Sequence, residues 1–142
     1  MILEQKMFKE IYERKEKIGQ GAFGKAFKAK SKERRGLFIV KEISLDKTEI
    51  ESAKNEIKIL KQIHHDNVVK YVDDFTEPGQ ILIVMEYCEG GDLGSYIKQQ
   101  KQPLPEDQVK NWFKQIVSGK DIYRNYRAIG TIFGTDNIGT CI

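Results

Sequence analysis

Several residue types are scarce in this 142-residue sequence, which has two cysteines, three prolines, two histidines and one tryptophan. The two cysteines, Cys88 and Cys141, have neither the spacing of a metal site nor the number needed for a disulfide framework. The longest apolar run covers only residues 81–85, whereas a membrane-spanning helix needs about 20. The first residues include charged Glu4 and Lys6, so they lack the apolar core of a signal peptide. We therefore expect a cytoplasmic protein.

A large charge of one sign is also missing. The 24 basic and 21 acidic side chains give a net charge of +3, and 39% of the residues are apolar. Acidic and basic residues alternate over 9–17, which is typical of a solvated surface rather than of the basic face of a nucleic-acid-binding protein. The composition predicts a globular protein with no nucleic-acid and no membrane partner.

Short apolar and β-branched segments dominate the first two thirds of the chain and predict strands. They are separated by turn residues such as Pro78 and Gly79. The predicted strands cover residues 12–18, 25–30, 37–43, 68–75 and 81–87.

Helical spacing of apolar residues appears in two places. The first helix is predicted to be capped by Asp46 and Glu49, to bury a stripe that includes Ala53 and Leu60, and to end near 64–67. A short helix is predicted over 93–100. The last helix begins at Pro105 and runs to about Ser118. Its apolar stripe consists of Val109, Trp112, Phe113, Ile116 and Val117.

A glycine cluster follows the first predicted strand and matches G-x-G-x-x-G. Glycine lets the backbone approach phosphate oxygens closely and point its N–H groups at them. In a dinucleotide-binding protein this motif opens a helix, but here it leads into another strand. A tight hairpin without a ligand is one alternative. Another is a Rossmann oxidoreductase that binds NAD, because Asp46 has the spacing of a ribose-binding acid. The motif residues are Gly19, Gln20, Gly21, Ala22, Phe23 and Gly24.

Two charged residues stand among apolar neighbours. Lys41 lies inside the apolar strand 37–43, and a lysine that faces inward there needs compensation for its burial. Glu56 lies beside the apolar stripe of the first helix, from which it can reach the sheet. The alternatives are an edge lysine that faces solvent and a surface glutamate paired with Lys54 or Lys58.

The segment 81–93 is the most specific part of the sequence. An apolar strand ends at Met85 and runs through a short connector containing Cys88 to two glycines and Asp92, just before a predicted helix. The alternative interpretation is a strand followed by a glycine turn, with Cys88 merely packed.

These segments together resemble the NIMA-related serine/threonine protein kinases. The resemblance covers about residues 10–118, and Asp66 stands where many kinases have proline. It is carried by residues 19–24, 38–43, 55–57, 65–71 and 84–93.

The resemblance implies an α+β fold. A five-stranded antiparallel sheet with one helix would form the kinase N-lobe over residues 10–88. The hinge and the first helices of a truncated C-lobe would follow over 89–119, and 120–142 would be a tail of unknown structure.

The resemblance also implies ATP as the ligand. Lys41 and Glu56 would form the ion pair that positions the phosphates, Met85 would be the gatekeeper, and the main chain at Glu86 and Cys88 would bind adenine. Ile18 and Ala26 would cover the adenine, and Asp92 would reach the ribose. The full set of expected ATP-binding residues is Ile18, Gly19, Gln20, Gly21, Ala22, Phe23, Gly24, Ala26, Ile39, Lys41, Met85, Glu86, Cys88 and Asp92.

The family's catalytic motifs do not follow. After Gly119 neither a His-Arg-Asp loop nor Asp-Phe-Gly occurs, and Ile132 precedes Phe133-Gly134 where a metal-binding aspartate is needed. The family uses Mg²⁺ with ATP, and its protein ligands are missing here, so we expect no phosphoryl transfer by this chain alone. One hypothesis is a kinase coding sequence interrupted near residue 119.

The resemblance implies Ser/Thr proteins as the substrate class and allows nuclear, centrosomal or ciliary association. An alternative is a non-catalytic ATP-sensing or kinase-binding module. Another kinase, a substrate protein or a second copy would then bind the exposed stripe of Trp112, Phe113 and Ile116.

Overall fold

The computed structural model describes residues 6–21, 24–44, 50–91 and 93–125, without the side chains at 52, 56 and 122–125. In chain order the elements are α1 (Phe8–Ile11), β1 (Tyr12–Gly21), β2 (Gly24–Ser31), β3 (Leu37–Ser44), α2 (Ile50–Gln62), β4 (Tyr71–Glu77), β5 (Gln80–Glu86), α3 (Leu93–Gln99) and α4 (Glu106–Asn125). None of the helices in these ranges is long and apolar enough to cross a membrane.

The described residues fall into two compact units. The first contains the residues up to Ile57 and Tyr71–Tyr87, and the second contains Lys58–Lys70 and the residues from Cys88 onward.

The first unit is built on one antiparallel sheet with the strand order β1-β2-β3-β5-β4. The continuous apolar run in β5 is explained by its position between β3 and β4, because all five residues from Ile81 to Met85 are buried. Such a run is expected for a strand that is covered on both faces. The predicted α+β fold with a five-stranded antiparallel sheet is confirmed.

One face of the sheet carries an aromatic core. The short helix α1 brings Phe8 onto this face, where its ring stacks on Tyr12 at 5.4 Å and meets Phe75 edge-on at 5.6 Å. The backbone N–H of Phe8 donates to the Glu77 carboxylate at 3.2 Å, which joins the start of α1 to β4. The buried members of this core are Phe8, Tyr12, Ala29, Val40, Phe75, Leu82 and Val84.

The second unit joins a loop to helix α4. The Asn67 side-chain amide donates to Gln115 at 3.2 Å, and the Ser118 hydroxyl lies 3.2 Å from Nε2 of His65. Gly119 is buried against this loop, because a Cβ atom there would lie 2.9 Å from the Asn67 carbonyl oxygen. The backbone of the helix at Gly119 therefore packs directly against the backbone of the loop at Asn67.

Several predicted boundaries need correction. Helix α4 continues to Asn125 instead of ending near Ser118, and β4 begins at Tyr71 instead of Val68. The backbone N–H of Val68 donates to His65, so the chain is still turning there. The predicted cap at Asp46 lies outside the described residues.

The stripe predicted on α4 is only partly exposed. Trp112, predicted to be exposed, is buried, with only 8% of its surface accessible. Its ring meets the ring of Tyr96 edge-on, with 5.4 Å between the ring centres. Phe113 is 66% exposed, and Ile116 is half-buried. The prediction was wrong for Trp112 because the helix α3 supplies a partner ring that periodicity cannot reveal.

Candidate functional site

The glycine motif forms a hairpin between β1 and β2. Gly19 pairs with Ala26, and Gly21 pairs with Gly24, so the glycines lead from one strand directly into the next. The Rossmann interpretation is therefore wrong, because its motif has to open a helix. Ala22 and Phe23 lie outside the described residues.

Gly24 is the position where glycine is required. Its φ of 121° is rarely adopted by other residues. A Cβ atom there would also overlap the carbonyl oxygen of Glu42 on β3 and lie 3.1 Å from the carbonyl carbon. The hairpin can therefore lie this close to the central sheet only because residue 24 has no side chain.

The sheet register places the predicted lysine next to this hairpin, on the neighbouring strand β3. Lys41 pairs with Ala26 on one side and with Ile83 on the other. Because directly paired residues point to the same face, these three side chains share the face opposite the aromatic core. Two residues along, Ile39 pairs with Met85 on this same face. We call it the Lys41 face.

Most of the Lys41 face is apolar. Ile81 and Ile83 are 1% and 0% exposed, and Met85 is 9% exposed. Lys41 itself is half-buried among them. The part of the face around Lys41 thus combines apolar side chains with a cationic group. The prediction of an edge lysine that faces solvent does not fit this placement.

The remaining predicted site residues lie elsewhere in the first unit, in the second unit or outside the described part. Ile18 is 48% exposed at the end of β1 that carries the glycines, and Glu86 is the last residue of β5. In the second unit the Cys88 carbonyl accepts a hydrogen bond from Gly91 at 3.2 Å. The side chain of Glu56 and all of Asp92 lie outside the described residues, so the ion pair with Lys41 and the ribose contact stay predictions.

A charged cluster that the sequence did not predict supports the hairpin from the aromatic face. Arg14 pairs with Glu42 at 2.9 Å, and Lys25 approaches the same carboxylate at 3.8 Å. The Arg14 guanidinium also lies 4.4 Å from the centre of the Phe27 ring. These contacts join β1, β2 and β3 beside Gly24.

A second charged cluster lies farther along β2, at Lys28. The Lys28 ammonium is 2.6 Å from Glu16 on β1 and 4.8 Å from the centre of the Tyr87 ring. The hydrogen bond from Lys28 lowers the pKa of Glu16, and Glu16 followed by Tyr87 raises the pKa of Lys28. Cross-strand pairs of this kind depend on register, and the sequence alone gives no signal for them.

Two tyrosines of the first unit have raised pKa values. Burial is the main cause for Tyr71, and its hydrogen bond to the Asp74 carboxylate adds to the effect. Burial also raises the pKa of Tyr12, whose hydroxyl is buried without a hydrogen-bond partner among the described residues.

Comparison with known proteins gives a consistent result. A model of the family described as protein kinase domain matches residues 12–125. The human serine/threonine-protein kinase Nek5 is 45% identical over 106 residues, which are 72% of this chain and 15% of that protein. Mouse Nek1 is 43% identical over 111 residues, which are 75% of this chain and 9% of that protein. Mouse Nek3 is 38% identical over 122 residues, which are 85% of this chain and 24% of that protein. The chain thus spans less than a quarter of the length of these relatives.

Proposed function

Because the chain belongs to the protein kinase domain family and, within it, to the NIMA-related serine/threonine kinases, we propose that its first unit binds ATP on the Lys41 face. The observation that carries this proposal is the placement of Lys41. It is a half-buried cation whose cross-strand neighbours Ala26 and Ile83 are apolar, and it lies next to the glycine hairpin. A nucleotide needs this combination, since the flat faces of its base suit apolar contact and its phosphates are anionic.

Several of the predicted residues of the first unit have a defined part in this proposal. The adenine is covered by the apolar side chains of Ala26, Ile39 and Met85. The main chain at Glu86 forms hydrogen bonds with the edge of the base. Lys41 holds the α- and β-phosphates. The glycines bring backbone N–H groups close to the phosphate oxygens.

Phosphoryl transfer to Ser/Thr proteins is proposed for the full-length kinase. The 142 residues contain neither the catalytic-loop aspartate nor the Asp and Asn that hold Mg²⁺ in the family. For this chain alone we propose nucleotide binding without transfer. By analogy with the family we place the protein in the cytoplasm, with nuclear, centrosomal or ciliary association as further sites.

The test is isothermal titration calorimetry of the purified chain with ATP, ADP and NAD. We expect saturable binding of ATP and ADP, no binding of NAD, and a clear loss of affinity in Lys41→Ala. The exposed Lys30 on β2 provides a matched control, and Lys30→Ala is expected to bind as wild type does. Equal ATP affinity of wild type and Lys41→Ala would refute the proposal.

The exposure of Phe113 on α4 favours a second role as an interaction module. Phe113 lies on one face of α4 with four further residues, which border a shallow and open depression: Lys114, Val117, Ser118 and Asp121. Exposed apolar surface of this kind often marks a protein contact, so another kinase, a substrate protein or a second copy is a candidate partner. Sedimentation velocity at increasing concentration tests for the second copy, and Phe113→Ser is expected to abolish any association seen.

A further inference from the structure

Lys28 connects three parts of the first unit. It lies on β2, its ammonium is 2.6 Å from Glu16 on β1, and it sits over the ring of Tyr87 just after β5. Its side chain is only 21% exposed, whereas the Glu16 side chain is 67% exposed. Lys28 is thus held between its two partners instead of extending into solvent.

The register places Lys28 on the Lys41 face. Lys28 pairs with Ile39, which in turn pairs with Met85. This row lies two residues, or about 7 Å, from the row that contains Lys41. Met85 directly precedes Glu86, so the Lys28 row is at the adenine end of the proposed site and the Lys41 row is at the phosphate end.

The strand that Lys28 holds is irregular at this point. β1 is an edge strand, and its pairing with β2 shifts register between Arg14 and Lys17 and again between Lys17 and Gly19. Such irregularities interrupt the backbone hydrogen-bond ladder. The contact between Glu16 and Lys28 crosses the same pair of strands within this interval.

We propose that Lys28, held by Glu16 and Tyr87, is a positioning residue that fixes the glycine end of β1 over the adenine end of the nucleotide site. The inference rests on the proposed function. Lys28 acts through β1 and the exposed Ile18, and it makes no contact with the phosphates. Its loss therefore weakens every ligand that contains adenosine by a similar factor.

Calorimetry with ATP, ADP and adenosine tests this role. Because one partly exposed ion pair and one cation–π contact are lost, we expect Lys28→Met to weaken all three ligands about threefold to tenfold. Lys28→Arg keeps the charge and the ring contact and is expected to bind as wild type does. Lys41→Ala should weaken ATP and ADP but leave adenosine unchanged. Lys30→Met, on the same strand, is the control.

A second measurement does not depend on any ligand. Hydrogen–deuterium exchange of the backbone over residues 15–21 should be faster in Lys28→Met and in Glu16→Gln than in wild type. A merely stabilising lysine would instead change exchange throughout the sheet.

The outcomes separate the two proposals. Unchanged affinities in Lys28→Met together with the Lys41→Ala loss would overturn the role of Lys28 and leave ATP binding intact. If Lys28→Met had a lower affinity for ATP but an unchanged affinity for adenosine, Lys28 would contact the phosphates directly. That result would also overturn the positioning role of Lys28. No binding by wild type would overturn the proposed function. Unchanged hydrogen–deuterium exchange over residues 15–21 in Lys28→Met would then also show that Lys28 does not hold β1 in place.

Discussion

The replacement of Gly24 by alanine is the sharpest perturbation that the sheet offers. Gly24 has a φ of 121°, and its added Cβ atom would overlap the Glu42 carbonyl oxygen. Gly36, in the turn before β3, has a similar φ of 109°, but a Cβ atom there would meet nothing within 4 Å. The two glycines thus share the backbone strain and differ only in the collision.

The difference between the two variants isolates the cost of the collision. Holding alanine at such a φ costs about 1–3 kcal/mol, which both variants incur. Moving the Glu42 backbone away from the new methyl group adds about 1–3 kcal/mol, as for an overpacked core. We therefore expect Gly24→Ala to lose about 2–6 kcal/mol of unfolding free energy and Gly36→Ala about 1–3.

Urea unfolding followed by far-UV circular dichroism measures both values. Gly24→Ala should also reduce ATP affinity, because Glu42 adjoins Lys41 and its displacement moves β3. Gly36→Ala, at the far end of the β2–β3 turn, should bind ATP as wild type does. Equal losses of stability in the two variants would refute the argument that Gly24 is required by close approach.

Two further predictions concern the aromatic core and its tyrosines. Phe8→Ala should lose about 3–5 kcal/mol in urea unfolding, because Phe8 is 5% exposed and contacts two rings. Met7→Ala, at a 40% exposed position, should stay within about 0.5 kcal/mol of wild type. A loss in Phe8→Ala as small as that in Met7→Ala would show that α1 does not belong to the core. Tyr71 has a raised pKa, so the folded state favours its protonated form. The contribution of this group to the free energy of unfolding is fully present below the ordinary pKa of 10.0 and declines as the pH rises above it. Thermal unfolding measured from pH 8 to about 11 should therefore show a smaller decline for Tyr71→Phe than for wild type, and parallel curves would contradict the burial of this hydroxyl.

Much of the first unit could be predicted from the sequence. The strand segments stand out because β-branched and aromatic residues favour a pleated, buried surface. The glycine motif could be assigned to a hairpin because strand-forming residues follow it. Lys41 could be placed on a buried strand because Phe38, Ile39 and Val40 precede it and Ile43 follows two residues later.

Other features depended on neighbours that are distant in the sequence. Helix α1 has only four residues, too few for a hydrophobic period, and its Phe8 lies outside the residues matched by the family model. Trp112 and Phe113 are adjacent on one apolar stripe, yet one is buried and the other exposed, because only Trp112 meets the ring of Tyr96.

By itself the sequence determined the order of the five strands, the glycine hairpin and the family, since each depends on residue types and spacings within short segments. Tertiary structure alone decided that Gly24 must lack a side chain and that Lys28 joins Glu16 to Tyr87. Strand pairing sets both contacts, and a shift of register by one residue would move each of these side chains to the opposite face of the sheet.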